Sequence, residues 1–324
     1  MKKATLLFLA TCLAITACKD KPEGDSASDE TDTETATTVD TEPFFKLSLA
    51  QWSLHRRYKA EDAKPFEFAA DAKELGFDAV EYVSQLYNKQ IEEYGLDAVV
   101  DSLKAQQEEH GVACVLIMVD GEGDLADPDE AARNEAVENH KKWVDATAEL
   151  GGHAIRVNTF GTNDPQEWLT TVQDGLKKLS EYAATKNINV LAENHGWLSS
   201  NAPLVMEAIN GVNMENCGTL PDFGNWCIKR AGGERWGECE EEFPDYYAGL
   251  RILMPRAKAV SAKAYSFDAN GDEEKLDYYR MVQIVKEAGY TGHIGVEYES
   301  ETLDEPTGIK ATRDLLIKAA SNLQ

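Results

Sequence analysis

Residues 189–195 read Asn-Val-Leu-Ala-Glu-Asn-His, a short apolar run that ends in the carboxylate of Glu193. Two other segments share this pattern, because Asp222 follows Gly-Thr-Leu-Pro and Glu297 follows His-Ile-Gly-Val. Apolar runs of this length predict parallel strands that are buried on both faces. Charged side chains are almost never fully buried without partners. Three acids at three strand ends therefore predict a shared site that binds a cation or transfers protons, which is typical of an enzyme.

Eight strand-like runs alternate with segments of helical periodicity along the chain. The predicted strands span residues 45–54, 79–83, 113–119, 154–158, 189–193, 218–223, 257–265 and 293–298. The predicted helices include residues 63–75, 96–110, 134–150, 166–186, 246–254, 274–288 and 307–320. Glycines that can end a helix in the left-handed conformation are Gly76, Gly111, Gly151 and Gly289. Eight β/α units predict an α/β fold with a single (β/α)₈ TIM barrel over residues 44–324.

The first residues predict export. Residues 1–17 combine Lys2 and Lys3 with an apolar stretch and small residues before Cys18, which is typical of a signal peptide. The stretch Ile-Thr-Ala-Cys that ends at Cys18 resembles a bacterial lipoprotein box, and it implies cleavage before Cys18 and lipidation of its thiol. An ordinary secretory signal is the alternative. Residues 18–43 are acidic and rich in Thr and Ser, which predicts a disordered tether.

Charge and anchor define the expected surroundings of the protein. The formal net charge of −26 argues against a nucleic-acid partner and against adhesion to anionic lipid beyond the anchor itself. Because Lys19 follows Cys18, the aspartate that commonly holds lipoproteins at the inner membrane is absent. We therefore expect a cell-envelope lipoprotein of the outer membrane, on either its periplasmic or its surface face, whose partner is a small molecule.

Four cysteines in the barrel segment fall into two classes. Cys114 and Cys217 lie in apolar surroundings and are predicted to be core residues. Cys227 and Cys239 flank a glycine-rich stretch that predicts a loop insertion before the sixth helix of the barrel. In an oxidising compartment this second pair could close a disulfide, and two unpaired thiols are the alternative.

In a barrel of this kind the active site lies at the carboxyl ends of the strands. The polar residues predicted there are His55, Glu81, Asp120, Glu122, Arg156, Asn158, Glu193, His195, Asp222, Asn225, Lys263, Tyr265, Glu297 and Glu299. One such residue alone is as often a structural polar group as a functional one. Eight strands that all end in polar or ionisable residues favour a functional site.

Three motifs, taken in order, resemble the xylose isomerase-like barrel superfamily. They are Leu-Ala-Glu-Asn-His at residues 191–195, Leu-Pro-Asp-Phe-Gly-Asn at residues 220–225 and Ile-Gly-Val-Glu-Tyr-Glu at residues 294–299. The superfamily includes sugar epimerases, inosose dehydratases and endonuclease IV-like proteins. Residues 49–55 and 261–268 look like a branch of bacterial lipoproteins named as sugar phosphate isomerase/epimerase. The resemblance covers residues 45–320 and implies an isomerase or epimerase of carbohydrate metabolism.

In similar epimerases a divalent cation is held by a Glu on strand five, an Asp on strand six, a His on strand seven and a Glu on strand eight. The resemblance assigns three of these positions to Glu193, Asp222 and Glu297. Ser261 stands where the histidine is expected. One hypothesis keeps the metal, with His195 or water completing the shell; oxygen ligands suit Mn²⁺ or Mg²⁺, whereas histidine admits Zn²⁺ or Co²⁺. The other hypothesis assigns the positive charge to Lys263, which would act as the catalytic electrophile.

Either hypothesis fits the removal of a proton from a carbon next to a carbonyl. Glu193 and Glu297 could face opposite sides of a bound sugar, one as base and the other as acid, in epimerisation or ketose–aldose isomerisation. The same enolate could expel a leaving group, as in a lyase or dehydratase acting on 3-keto-glycosides or inosose-like substrates. A glycosidase and a non-catalytic glycan-binding surface lipoprotein are further alternatives.

Neutral sugars need convergent hydrogen-bonding groups. The predicted substrate-binding residues are His55, Glu81, Arg156, Asn158 and His195. Trp52, Trp197 and Trp226 could stack on a sugar ring, although core packing is the commoner role for a tryptophan. Because the sequence has no Gly-rich phosphate loop, free sugars or glycosides are favoured over sugar phosphates.

Overall fold

Eight parallel strands form the centre of this computed structural model, which describes residues 42–323. They are β1 (Lys46–Ala50), β2 (Ala79–Val83), β3 (Ala113–Val119), β4 (Ala154–Val157), β5 (Asn189–Glu193), β6 (Cys217–Leu220), β9 (Val260–Ala264) and β10 (His293–Tyr298). Two further strands, β7 (Cys227–Arg230) and β8 (Cys239–Glu242), form a separate antiparallel pair. The predicted (β/α)₈ barrel is confirmed.

The sheet runs in the order β6-β5-β4-β3-β2-β1-β10-β9. Parallel bridges from Thr219 to Ala257 and from Asp222 to Ser261 join its two edges and close the ring. Parallel closure places the carboxyl ends of all eight strands at one mouth. Asp222 and Ser261, which lie just beyond β6 and within β9, therefore belong to the closing seam.

Ten α-helices occur in the described part of the chain. They are α1 (His55–Lys59), α2 (Phe68–Glu74), α3 (Asn88–Tyr94), α4 (Leu96–His110), α5 (Glu130–Glu149), α6 (Pro165–Ala184), α7 (Ala202–Val212), α8 (Tyr246–Leu253), α9 (Tyr278–Glu287) and α10 (Glu305–Ser321). Side chains that accept a hydrogen bond from a first-turn amide cap six of them: Asp129, Asp164, Asn201, Asp245, Asp277 and Asp304. Some of the many acidic residues therefore serve to satisfy the free backbone amides at the starts of helices.

The predicted helix-ending glycines are confirmed. Gly76, Gly111, Gly151 and Gly289 all have positive φ angles, from +64° to +89°. Residues with a Cβ rarely adopt this conformation, which lets the chain leave the helix and turn toward the next strand. The glycines thus set the lengths of four helices that pack around the barrel.

Several predicted elements begin or end elsewhere in the structure, and for two of them the cause is a local hydrogen-bonding pattern. The first strand ends at Ala50, because Gln51–Leu54 form a 3₁₀ helix whose Ser53 hydroxyl bonds to the backbone of β10. Helix α9 begins at Tyr278, because the residues before it form a turn. In this turn the Glu273 carboxylate accepts hydrogen bonds from the backbone amides of Lys275 and Leu276. Helix α7 was not among the predicted helices.

The strands are buried on both faces, as their continuous apolar runs predict. In β3 every residue after Ala113 is buried, and all of β4 is buried. Cys114 and Cys217 lie in this core as free thiols. The polar residues at the strand ends are consequently held by a rigid, closely packed support.

Residues 227–242, which we call the hairpin arm, occupy the predicted insertion between the sixth barrel strand and α8. The arm consists of β7, a turn and β8, and the structure joins Cys227 to Cys239 by a disulfide. The bond links the first residue of β7 to the first residue of β8 across the arm.

The predicted signal peptide, the lipidation site Cys18 and the tether up to residue 41 lie outside the described residues. Within residues 42–323, no helix combines the length and apolarity that crossing a bilayer requires.

The disulfide predicts that Cys227 and Cys239 resist alkylation until reductant is added. Denatured chain should be alkylated with and without reductant and then mapped by peptide mass spectrometry. Cys114 and Cys217 serve as internal controls, since free thiols react in both samples. Modification of Cys227 and Cys239 in the unreduced sample would contradict the bond.

Candidate active site

The carboxyl ends of the strands surround a cavity of about 670 Å³. Its lining combines acids, bases and aromatic rings, among them Trp52, Asp120, Arg156, Asn158, Phe160, His195, Arg235, Trp236, Glu297 and Glu299. Most of the lining is polar or charged and a few aromatic rings complete it, which suits a small polar molecule that is held by convergent hydrogen bonds.

Three buried carboxylates converge at the base of the mouth. Glu193 ends β5, Asp222 follows β6 and Glu297 lies in β10. One oxygen from each side chain lies within 4.8 Å of the other two. The structure therefore brings together the three residues that the sequence places at separate strand ends.

Asp222 is positioned by its own loop. Its Oδ1 accepts hydrogen bonds from the amides of Gly224 and Asn225, each at 2.8 Å. The Asn194 side chain holds the Asp222 backbone, accepting from its N–H at 2.7 Å and donating to its carbonyl at 3.0 Å. Asp222 Oδ2 is buried without a hydrogen-bond partner in the described part of the chain. The loop thus holds the Asp222 carboxylate in place through Oδ1 and leaves Oδ2 free to bind another group.

The two glutamates are each held by a cation and a neutral donor. Glu193 Oε2 lies 2.8 Å from Arg156 Nε, and its Oε1 accepts a hydrogen bond from Asn225 at 3.1 Å. Glu297 Oε1 accepts from Lys263 Nζ at 2.7 Å. Glu297 Oε2 accepts from Ser261 Oγ at 3.0 Å, so the residue that stands at the expected histidine position orients Glu297 instead.

Burial shifts the protonation of this cluster. It raises the pKa of Glu193 and raises the pKa of Asp222 well above its usual range, since an ionised carboxylate loses its hydration there. Burial opposes the charge on Lys263 too, but the carboxylates of Glu297 and Glu299 outweigh it and raise the pKa of Lys263. Lys263 is therefore an ammonium ion that cannot act as a base.

A hydrogen-bonded chain runs along one wall of the cavity. Asp120 Oδ1 accepts from Arg156 at 2.9 Å and from Asn158 Nδ2 at 2.6 Å. Asn158 Oδ1 must then accept from His195 Nδ1, which lies 2.6 Å away. Burial and the charge of Arg156 lower the pKa of His195 to about 3. The neutral imidazole thus carries its proton on Nδ1 and has a lone pair on Nε2.

Charge at the mouth is unbalanced. Arg156 and Lys263 each bridge two carboxylates, and no ion pair reaches Asp222 among residues 42–323. Asp222 therefore keeps one buried carboxylate oxygen without a partner among these residues. Such an oxygen is costly unless a cation or a proton compensates its charge. Three converging oxygen donors fit a divalent metal ion.

Two predicted substrate-binding residues do not line the cavity. His55 stacks against Trp52 with ring centroids 4.9 Å apart, so it supports a residue that does line the cavity. Glu81 is fully buried on β2, where its Oε1 accepts from Ser48 at 2.7 Å. A Cβ at Gly295 would lie 2.6 Å from that Oε1, so the glycine makes room for the carboxyl group.

The three predicted tryptophans have different surroundings. Trp52 lines the cavity and donates to Glu299 at 2.9 Å. Trp197 donates to the carbonyl of Glu234 in the hairpin arm at 2.9 Å, and Trp226 is buried in the core.

Sequence reasoning missed Phe160, Arg235 and Trp236, which also line the cavity. Phe160 follows the predicted strand 154–158 by two residues, a position that could have signalled it. Arg235 and Trp236 lie in the hairpin arm, whose path over the mouth has no local sequence signal.

Glu81 generates a prediction on stability. Burial raises the pKa of Glu81 to about 8, so the folded state prefers the protonated acid more than the unfolded state does. The native state is therefore stabilised at low pH, and this contribution is lost as the pH rises from about 4.5 through 8. Glu81→Gln removes the titration and should become increasingly more stable than the parent chain, by roughly 3–5 kcal/mol at high pH. Urea unfolding across pH with chelator present measures this difference.

Glu207→Gln on the exposed face of α7 is the matched control for this measurement. Its stability relative to the parent should stay constant with pH. A constant difference for Glu81→Gln as well would show that Glu81 does not titrate in this way.

Known proteins share this architecture. The family model described as xylose isomerase-like TIM barrel matches residues 69–319. None of the curated proteins matches the chain significantly. An L-ribulose 3-epimerase superposes with a TM-score of 0.65 at 14% identity, covering 86% of this chain and 97% of that chain.

Two other solved structures are similar. The 3-keto-D-glucoside 4-epimerase YcjR from E. coli has a TM-score of 0.62 at 17% identity, over 84% of this chain and 98% of its own. The IolI protein, solved with a zinc atom, has a TM-score of 0.63 at 15% identity, and the superposition covers 86% of this chain and 99% of the IolI chain. At such identities these structures show a shared fold. Since the family model spans most of the barrel, the chain belongs to the xylose isomerase-like TIM barrel family.

Proposed function

We propose that this chain is a sugar isomerase or epimerase that removes a proton next to the carbonyl of a sugar or keto-sugar, assisted by a divalent metal ion. The observation that carries the proposal is the convergence of Glu193, Asp222 and Glu297 at the mouth of the barrel. The sugar epimerases among the structural neighbours support it.

The metal would be held by the carboxylates of these three residues. The orphaned Oδ2 of Asp222 is the donor that most needs a cation, because Arg156 and Lys263 already serve the two glutamates. Oxygen donors favour Mn²⁺ or Mg²⁺. When bound, such an ion polarises a substrate carbonyl and stabilises negative charge on its oxygen.

Glu193 and Glu297 are the proposed proton-transfer pair. In the closed ring, β6 and β9 separate the strands that carry them, so the two carboxylates approach the mouth from different sides. One can take a proton from one face of a sugar while the other returns it on the opposite face. Burial raises the pKa of Glu193, which favours uptake of a proton by this carboxylate.

The cations orient these glutamates. Lys263 bridges Glu297 and Glu299, both at 2.7 Å, and Arg156 bridges Glu193 and Asp120. Among the described residues Lys263 forms ion pairs with Glu297 and Glu299 and none with Asp222, although its charge partly offsets the burial that raises the pKa of Asp222 and Glu193. This arrangement supports the metal over Lys263 as the electrophile.

Substrate hydroxyls would meet the wall formed by Asn158 and His195. Because His195 carries its proton on Nδ1, its Nε2 can accept a hydrogen bond from a sugar hydroxyl. Burial keeps this imidazole neutral, so it recognises a hydroxyl without adding charge to the site.

Glu193→Gln and Glu297→Gln should each lower solvent deuterium incorporation into substrate by about 10²–10⁴-fold. Each substitution preserves side-chain shape but removes a group that accepts a proton. NMR in D₂O across ketoses and keto-glycosides measures the exchange, with Glu207→Gln on the exposed face of α7 as control. Undiminished exchange in either variant would contradict the assignment.

Asp222→Asn should reduce bound metal, because it removes the carboxylate charge that has no cationic partner. Mass spectrometry of chain purified without chelator, and calorimetric titration with Mn²⁺, measure this loss independently of activity. Asp124→Asn is the matched control, since Asp124 lines the same cavity but pairs with Arg235 at 2.7 Å. Equal metal binding by both variants and the parent would overturn the metal site.

A further inference from the structure

The cavity has more room than a single sugar ring requires. Its volume of about 670 Å³ falls within the range of ~300–1,000 Å³ that buries drug-sized ligands. The proposed reaction uses only the end lined by Glu297, Arg156 and His195. The hairpin-arm residues Arg235 and Trp236 also line the cavity and have no role in that chemistry.

The hairpin arm holds its turn against the rim of the mouth. Arg235 Nη2 pairs with Asp124 Oδ2 at 2.7 Å, which ties the turn to the loop after β3. Trp197 Nε1 donates to Glu234 at 2.9 Å, which ties it to the loop after β5. The disulfide joins the start of β7 at the base of the arm to the start of β8 beside the turn. Trp236 therefore occupies a braced position on an otherwise exposed turn.

Trp236 forms an aromatic wall beside the polar end of the cavity. Its ring lies 5.5 Å from that of Phe160 and 5.1 Å from that of His195, in both cases edge-on. Even so, 53% of Trp236 stays exposed. Since His195 belongs to the proposed hydroxyl-binding wall, a ring that contacts Trp236 would directly adjoin a sugar bound there. Arg230 lies over one face of the Trp236 ring, 6.0 Å from its centroid, so a ligand ring would stack on the other face.

The charges of the lining favour a neutral ligand. Five acidic side chains and three bases of the Lys or Arg type line the cavity. Two of the bases, Arg156 and Arg235, are paired with carboxylates. The third, Lys59, lies over the ring of Trp52 at 3.9 Å from its centroid. A phosphate or carboxylate on the substrate would thus meet net negative charge.

We propose that Trp236 forms a second subsite that binds the ring-shaped aglycone of a neutral glycoside, with the buried ring of Phe160 packed against it as support. The substrate would be a keto-glycoside whose sugar ring lies against His195 and whose aglycone ring stacks on Trp236. This inference rests on the proposed function for the reaction and adds the class of substrate. The aglycone can be an aryl group or a second sugar, because both present a flat apolar face.

The test compares two probes, phenyl 3-keto-β-D-glucopyranoside and free 3-keto-D-glucose, by calorimetric titration of the full chain. The parent should bind the phenyl glycoside about tenfold more tightly. Trp236→Ala should reduce this preference to within about twofold while leaving the Kd of the free sugar nearly unchanged, because it deletes only the stacking surface. Trp236→Phe should retain most of the preference.

Tyr94→Ala is the matched control, since Tyr94 is 59% exposed at the end of α3 and does not line the cavity. This variant should keep the full preference. Circular dichroism of each variant confirms folding.

Three results would overturn the subsite: equal affinity of the parent for both probes, no binding of the phenyl glycoside, or equal weakening of both probes in Trp236→Ala. Incorporation of solvent deuterium into the same two probes tests the proposed proton transfer separately from binding. A Trp236-dependent preference without exchange would support the subsite while rejecting the proposed chemistry.

Discussion

The burial of carboxylates at one end of a barrel is the constraint on which the rest of the site depends. Glu193, Asp222 and Glu297 lose hydration there, and each needs compensation from within the protein or from a ligand. Arg156 and Lys263 supply part of it by bridging two acids each. The imbalance that remains is concentrated on Asp222, so the site retains its capacity for one more cation.

The seam of the barrel explains why Ser261 does not simply remove a ligand. Register places Lys263 beside Glu297 on the neighbouring strand and places Ser261 opposite Gly295. Period-two alternation then directs Ser261 and Lys263 to the same face, where both donate to the Glu297 carboxylate. The two residues together hold Glu297 in a fixed orientation, which proton transfer requires.

The site divides between the barrel and an insertion. Strand ends supply the acids, the cations and the neutral His195, and these positions are rigid because the strands are buried on both faces. The hairpin arm supplies Arg235 and Trp236, which reach the mouth from a loop that the barrel itself does not need. Such a division lets one reaction be combined with different substrate shapes through changes in a loop.

The sequence by itself determined the barrel and its acids, because apolar runs, helical periodicity and strand-end charges are local patterns with a direct physical cause. It placed Glu193, Asp222, Glu297 and Lys263 together at the carboxyl ends of the strands, and in the structure these side chains do lie close to one another. Only the tertiary structure decided which groups touch: that Glu81 lies apart from the cavity lining, and that Trp236 lies within it. Pairing, burial and the path of a loop depend on residues distant in the chain, and no local pattern encodes them.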